Sequence, residues 1–381
     1  LCQRADGFFM RTVEQQLQLI LGHAPRLAPL DVPLLDTLGC VLAADVVAHG
    51  PGGEYAAVTG MPAPPGVAGQ PGGSAVAVGQ ETVRVITTEG ADGFGPHTVG
   101  TPAVARPAGS GLAPGQVVAP AGALVGEREV AAIVAAGYSR ARIYPRPRVV
   151  IIPVGDDLAE SGRALLDGQS HDINGPMLTA AALLAGADAF RAQPAADDVR
   201  TLTLVVEDQL VRADLIVVVA NTYTSGNQPA GPVVDALASM GSVDFTFAAI
   251  DPGSVVAFGT LGADHVPVIV LPRDSATALI NFEVFVRPLI RTLAGRADVF
   301  RPIERAVTSA PINNSKRLRR FIPAVVDPDL DSRGRVAATP LVARGPSAVW
   351  MREANALMVV PEDRTELTAG DQVGLIRLDR G

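Results

Sequence analysis

The chain has 381 residues, 48% of them hydrophobic and 18% charged, a balance that supports large buried cores and, by length, about two to four domains. A net charge of -8 and a pI of ≈ 5.2 argue against non-specific nucleic-acid binding, which needs a basic surface. Two cysteines (Cys2 and Cys40) and five scattered histidines give neither a disulfide framework nor a zinc spacing, and they point to a reducing, cytoplasmic setting. No apolar run reaches the ~18 residues needed to cross a bilayer.

In chain order, "LCQRADGFFM" has neither a signal-peptide pattern nor a helical period, so residues 1–9 read as an upstream extension or a mis-set start before Met10. Val13, Leu17, Ile20 and Leu21 share one face of a helix predicted over 12–22, with Thr12 and Gln15 as a capping box. Residues 48–103 turn to Gly, Pro, Ala and Val, with one strand candidate, "ETVRVITT" at 81–88; they predict a small β-domain with long loops or a partly disordered stretch. A short strand at Val117–Val118 and a helix over 127–136 follow, and "YPRPR" reads as a linker into a new domain.

Residues 148–298 alternate strands and helices. The strands are predicted at 148–153, 214–220, 243–250 and 267–272, and the helices at 174–187, 198–212, 231–240 and 274–294. Such alternation implies right-handed crossovers and a largely parallel sheet covered on both faces. After residue 298 the short alternating strands "RRFIPAVV", "RVAATPLV", "NALMVVPE" and "QVGLIRLD" predict a small C-terminal β-barrel or sandwich. The basic run Lys316, Arg317, Arg319 and Arg320 alternates with Leu318 and Phe321 and reads as a solvated strand edge.

Three strands of the α/β segment end in loops expected at one sheet edge: "PVGDDLAESG" (153–162), "ANTYTSGNQPAG" (220–231) and "LPRDSATA" (271–278). The third enters a helix directly, and free N–H groups at a helix start suit a phosphate. Asp156, Asp157 and Asp172 offer carboxylate oxygens to a divalent cation. The structural alternatives are that Asp274 and Asn174 are helix N-caps and that Asp156 and Asp157 are solvated turn residues.

The order of these segments resembles the molybdopterin molybdenumtransferases, the bacterial MoeA proteins and the E domain of gephyrin. The resemblance runs from Met10 to Gly381 and rests on "YPRPRVVIIPVGDDL", "HDINGPML", "DSATALINFEVFVRPLIRTLAG" and "MREANALMVVPEDRTELTAGDQV". It implies a multidomain α/β fold in four parts. These are a discontinuous N-terminal linker domain (10–47 and 104–146), a shortened β-rich insertion domain (48–103), a parallel-sheet molybdopterin-binding-like domain (147–298) and a C-terminal β-barrel domain (299–381). The function it implies is molybdate insertion into adenylated molybdopterin, assisted by magnesium, in a cytoplasmic homodimer. Carried over residue by residue, it assigns Asp156 and Asp157 to the metal. It assigns Asp172, Asn174, Ser225, Gly226, Pro252, Gly253, Pro272 and Arg273 to the pterin and nucleotide.

Several motifs depart from the family pattern. "GPGGEYAAV" keeps Tyr55 and Ala56 but has Gly53 where the family has an aspartate, and "RPAGSG" keeps Arg106 and Gly109 with Gly111 in place of a carboxylate. Thr222 and Tyr223 stand where the family has a glycine pair, "IDPGSVV" lacks both lysines of its loop, and Arg273 and Asp274 replace Gly and Asn. Glycines let backbone amides approach a phosphate closely, whereas a β-branched or bulky residue blocks that approach. The sequence therefore implies a member whose catalysis is weakened or lost. The alternative is a non-catalytic, gephyrin-like dimeric scaffold that binds a partner peptide, such as a cell-division adaptor.

Overall fold

The computed structural model describes residues 3–5, 8–48, 77–78, 81–82, 112–225, 228–314, 318–330, 334–343 and 347–379. The chain divides into two compact units, 30–143 and a larger one made of 1–29 with 144–381. In the smaller unit, Leu30–Pro33 pairs antiparallel with Arg140–Tyr144, and Val46–Val47 pairs with Val117–Ala119. The helix Glu127–Ala135 starts where the Glu129 carboxylate accepts from Gly126 N at 2.9 Å, and it turns Ile133 into a small core with Leu42 and Ile143. Of the 81–88 strand expected from the sequence, Glu81–Thr82 pairs with Ala77–Val78; the rest lies outside the described residues.

The larger unit is built on a six-stranded sheet. Its order is Asp188–Arg191, Arg148–Pro153, Leu215–Val219, Val266–Leu271, Ala257–Leu261, Gly241–Asp244. The first three ladders are parallel and the last two antiparallel. The continuous apolar runs of the central strands are explained by burial on both faces. Val149, Ile151, Leu215 and Val217 face one core, shared with Leu178, Phe282, Phe285 and Leu289. Val150, Ile152, Ile216 and Val218 face the other, shared with Leu202, Val206, Val233 and Leu237. The N-terminal helix Val13–Gly22 adds Val13 and Ile20 to the first core and carries the expected capping box.

Two strands of this sheet had no sequence signal. "DAFR" (188–191) is short and half exposed, and "AFGTL" (257–261) contains a glycine. The strand expected over 243–250 is broken instead. Asp244 Oδ1 accepts from Thr246 N at 2.8 Å, a local turn that ends Gly241–Asp244, and Phe247–Ala248 pairs elsewhere, with Phe8–Arg11. The helix expected over 274–294 is also interrupted, by a π-turn at Phe282–Val286 between Ser275–Asn281 and Arg287–Leu293. Pro288 has no N–H to continue the i→i−4 ladder, and the wider turn just before it accommodates that gap.

The C-terminal strands close into a five-stranded barrel: Arg319–Leu330, Val336–Pro340, Ile303–Thr308, Gln372–Arg377, Ala356–Val360, then back to Arg319–Leu330. Its interior holds Ala306, Ala324, Ala338, Ala356, Met358 and Leu375. The small residues keep so few strands around a filled centre. Ile250–Asp251 adds in parallel to Arg319–Arg320 of the barrel, which attaches the 250–255 loop to it. Two arginines of the basic run are paired on this edge: Arg319 pairs with Glu362 at 3.1 Å and also with Glu14, and Arg320 pairs with Asp251 at 3.1 Å, while Lys316 and Arg317 lie outside the described residues.

Candidate functional site

The parallel strands Arg148–Pro153, Leu215–Val219 and Val266–Leu271 end level with one another. Val154 N donates to Val219 O at 2.9 Å and Ala220 N donates to Leu271 O at 3.0 Å. Their loops therefore meet at the carboxyl edge, where open α/β sheets hold ligands. A pocket of ≈ 330 Å³ lies there, lined by Asn221, Thr222, Asp251, Gly253, Ser254 and Pro272.

Gly253 has φ +85, and a Cβ on it would collide with Thr277 Cγ2 and Asn281 Nδ2. The fully buried Asn281 instead donates Nδ2 to Gly253 O at 3.0 Å and so ties the pocket wall to the helix behind it. Pro252 follows Asp251 through a cis peptide bond.

A second group of side chains joins the first and third loops. Arg273 Nη2 donates to Asp157 Oδ2 at 2.9 Å, and Ser170 Oγ donates to the same oxygen at 3.1 Å. The bond from Arg273 outweighs desolvation and holds the Asp157 carboxyl below its ordinary range. The pair sits against Gly155, where a Cβ would lie 2.8 Å from both Arg273 Nη1 and Asp157 Oδ1. Asn174 Nδ2 donates to Arg273 O at 2.6 Å.

Asp172 and Asp156 are engaged elsewhere. Asp172, 1% exposed, accepts from Gly175 N at 2.8 Å and pairs with Arg191 at 3.1 Å. Asp172 thus supplies the oxygen that starts the helix Asn174–Ala185. Asn174 is not the N-cap, a position held by Ile173. Asp156 Oδ1 accepts from Asp197 N at 3.0 Å. Burial first, and then the neighbouring Asp156, raise the Asp197 carboxyl above its ordinary range.

The expected site residues thus separate into groups. Pro252, Gly253 and Pro272 stand at or beside the pocket, and Asp157, Asn174 and Arg273 form one hydrogen-bonded set. Ser225 ends the strand Tyr223–Ser225, paired antiparallel with Gln228–Ala230, and its side chain lies outside the described residues, as does Gly226. Tyr55, Ala56, Arg106 and Gly109 lie outside them too. Asp274 is a true N-cap: its carboxylate accepts from Thr277 N at 2.9 Å and from Ser347 Oγ at 2.6 Å. Sequence reading missed Arg191, Asp197, Ser254 and Asn281. Arg191 falls in the strand without a pattern, and the others gain a role only by proximity.

A hard dication needs several carboxylate or carbonyl oxygens converging on one point. Among the described residues no three His, Cys, Asp or Glu side chains converge in that way. Asp156, Asp157 and Asp172 each accept a bond from a different donor of the chain itself. As arranged, this donor set does not fit magnesium.

Comparison with known proteins matches residues 305–378 to the C-terminal region (domain IV) of MoeA. Two proteins of Mycobacterium tuberculosis are similar over a longer span. Molybdopterin molybdenumtransferase 1 is 34% identical over 274 residues, 71% of this chain and 64% of that one. Molybdopterin molybdenumtransferase 2 is 32% identical over 281 residues, 70% of this chain and 65% of that one. The chain belongs to the MoeA family. The matched region spans less than two thirds of the length of those relatives. The fold matches that of a molybdopterin biosynthesis MoeA protein from Pyrococcus horikosii, with a TM-score of 0.70 at 19% identity over 97% of this chain and 99% of that one. A molybdenum cofactor biosynthesis protein from Pyrococcus furiosus has the same fold, with a TM-score of 0.59 at 18% identity, 97% of this chain and 99% of that one being covered. No helix among the described residues is long and apolar enough to cross a membrane.

Proposed function

We propose that the chain acts in molybdenum-cofactor biosynthesis as a MoeA-like protein that binds adenylated molybdopterin at the carboxyl edge of the parallel sheet. The observation that carries this reading is the ≈ 330 Å³ pocket between Asn221, Thr222, Gly253, Ser254 and Pro272, at the edge where such sheets hold ligands. Its polar wall of amide, hydroxyl and backbone groups, with the Asp251 carboxylate, suits a pterin or nucleotide ring, and Pro252, Gly253, Pro272, Ser225 and Gly226 are the residues assigned to that contact. The relatives' names supply the substrate class.

Catalysis in this reading is weakened or lost. Thr222 and Tyr223 remove the glycines that would open backbone amides to a phosphate, and the Asp274 carboxylate adds a like charge beside it. Each missing charge-assisted contact weakens binding by about 1.5–3 kcal/mol. The protein is a cytoplasmic homodimer. Sedimentation at micromolar concentration tests the dimer, and a folded monomer refutes it.

Calorimetric titration of the full chain with molybdopterin and with AMP tests the site. Binding that strengthens in the combined variant Asn221→Ser, Thr222→Gly, Tyr223→Gly, Arg273→Gly and Asp274→Asn supports a degraded phosphate cradle. Tight wild-type binding that the same changes abolish shows a pocket re-cut around Arg273. No binding by either form, with the dimer intact, favours the scaffold that holds a partner peptide.

A further inference from the structure

The carboxyl edge of the sheet contains a cation of its own. In sheet order the Leu215–Val219 strand lies between Arg148–Pro153 and Val266–Leu271, so Arg273 spans the end of the central strand to reach Asp157. Its surroundings are acidic: Asp157 is bonded to it at 2.9 Å, and Asp156 and Asp197 are close enough for their charges to act on one another. Arg273 also opposes the upward shift of the Asp197 carboxyl, so its charge reaches beyond its direct partner. The guanidinium lies so close over Gly155 that no side chain fits beneath it. A second arginine, Arg191, removes Asp172 from the same edge at 3.1 Å.

We infer that the Arg273 guanidinium occupies the position of a divalent cation at this edge and, by holding Asp157, excludes one. A guanidinium is permanently charged and planar, with five donors, so it neutralises Asp157 and keeps donors for a ligand oxygen without being exchanged with solvent ions. A phosphate-bearing ligand at this edge would meet a fixed protein charge rather than a metal bridge. That last step rests on the proposed function; the metal statement does not.

The test uses the full chain and the metal alone, with Mn²⁺ followed by its paramagnetic resonance signal and Mg²⁺ by thermal shift. Wild type is expected to show no saturable site up to millimolar metal. Arg273→Ala and Arg273→Gln each uncover one site at least about tenfold tighter than any in wild type, and adding Asp157→Asn removes it again. Each variant is also melted by circular dichroism, and a gain of metal binding in a variant that still unfolds cooperatively is not a product of misfolding. A tight wild-type site abolished by Asp157→Asn overturns the inference, and so does failure of both Arg273 variants to gain a site. AMP is then titrated with magnesium and with chelator, and equal affinities are expected. If neither wild type nor the combined variant binds AMP or molybdopterin, the proposed function falls while the metal result stands.

Discussion

At Gly253 the backbone has φ +85 and the space beyond Cα is already filled by Thr277 and Asn281. Gly253→Ala is therefore expected to lower the unfolding free energy by about 2–3 kcal/mol, through strain and overpacking together, as measured by urea denaturation. A loss below half a unit of that scale would show that the wall relaxes. Asp298 makes a residue-scale prediction with a sign. Arg296 donates to it at 2.9 and 3.1 Å, Arg291 bonds it as well, and these bonds outweigh desolvation to bring its carboxyl down to about 2. A carboxyl depressed in the folded state stabilises the fold above the unfolded value, near about pH 4, and that stability is lost as pH falls towards the folded value. The side chain is 60% exposed, so solvent screening reduces the effect to about 1 kcal/mol. Asp298→Asn should flatten the fall in stability between about pH 4 and pH 2, and an unchanged slope would refute the assignment.

The helix Ser275–Asn281 depends on its cap. Asp274 accepts from Thr277 N, and burial of its carboxyl is outweighed by the bonds from Ser347 and Thr277, which hold it below its ordinary range. Asp274→Ala should cost about 1 kcal/mol in thermal or urea unfolding, whereas Asp274→Asn, which keeps an accepting oxygen, should cost less than half of that. Equal losses would place the stabilising effect in the charge rather than the cap. Helices were the elements most legible in the sequence. Thr12 with Gln15 and the apolar face of 13–21 are local signals, and local hydrogen bonds answer to them, whereas the helix expected over 174–187 stops at Ala185, where Gly186 takes a left-handed conformation. Strands such as Asp188–Arg191 were not legible, because a strand is completed by partners distant in the chain.

For the molecule as a whole, the barrel is not an independent appendage. Phe321 and Leu357 belong to the core that covers one face of the six-stranded sheet, and Asp251 of the 250–255 loop pairs with Arg320 of a barrel strand. A chain ending at residue 300 should lose the single cooperative melt and unfold about 10–20 °C lower by circular dichroism, because the core over the sheet loses two large buried side chains, Phe321 and Leu357. A truncated chain that melts sharply at the full-length temperature would refute this coupling.

The sequence by itself determined the family pattern, the apolar strands Arg148–Pro153, Leu215–Val219 and Val266–Leu271, the helices between them and the loops that meet at one edge. Those features follow from periodicity, and periodicity is a property of neighbours along the chain. It also singled out Asp156, Asp157 and Asp172 as residue types suited to a cation, and the family resemblance added Arg273 to the site. Only the tertiary structure decided which charge meets which. Asp157 and Arg273 are separated by 116 positions, and Asp172 and Arg191 by 19. Two carboxylates that look like metal ligands in the sequence become the partners of arginines once strand order brings them together. The reason is physical: an ion pair a few ångströms across depends on where strands lie side by side, and no local pattern encodes that distance.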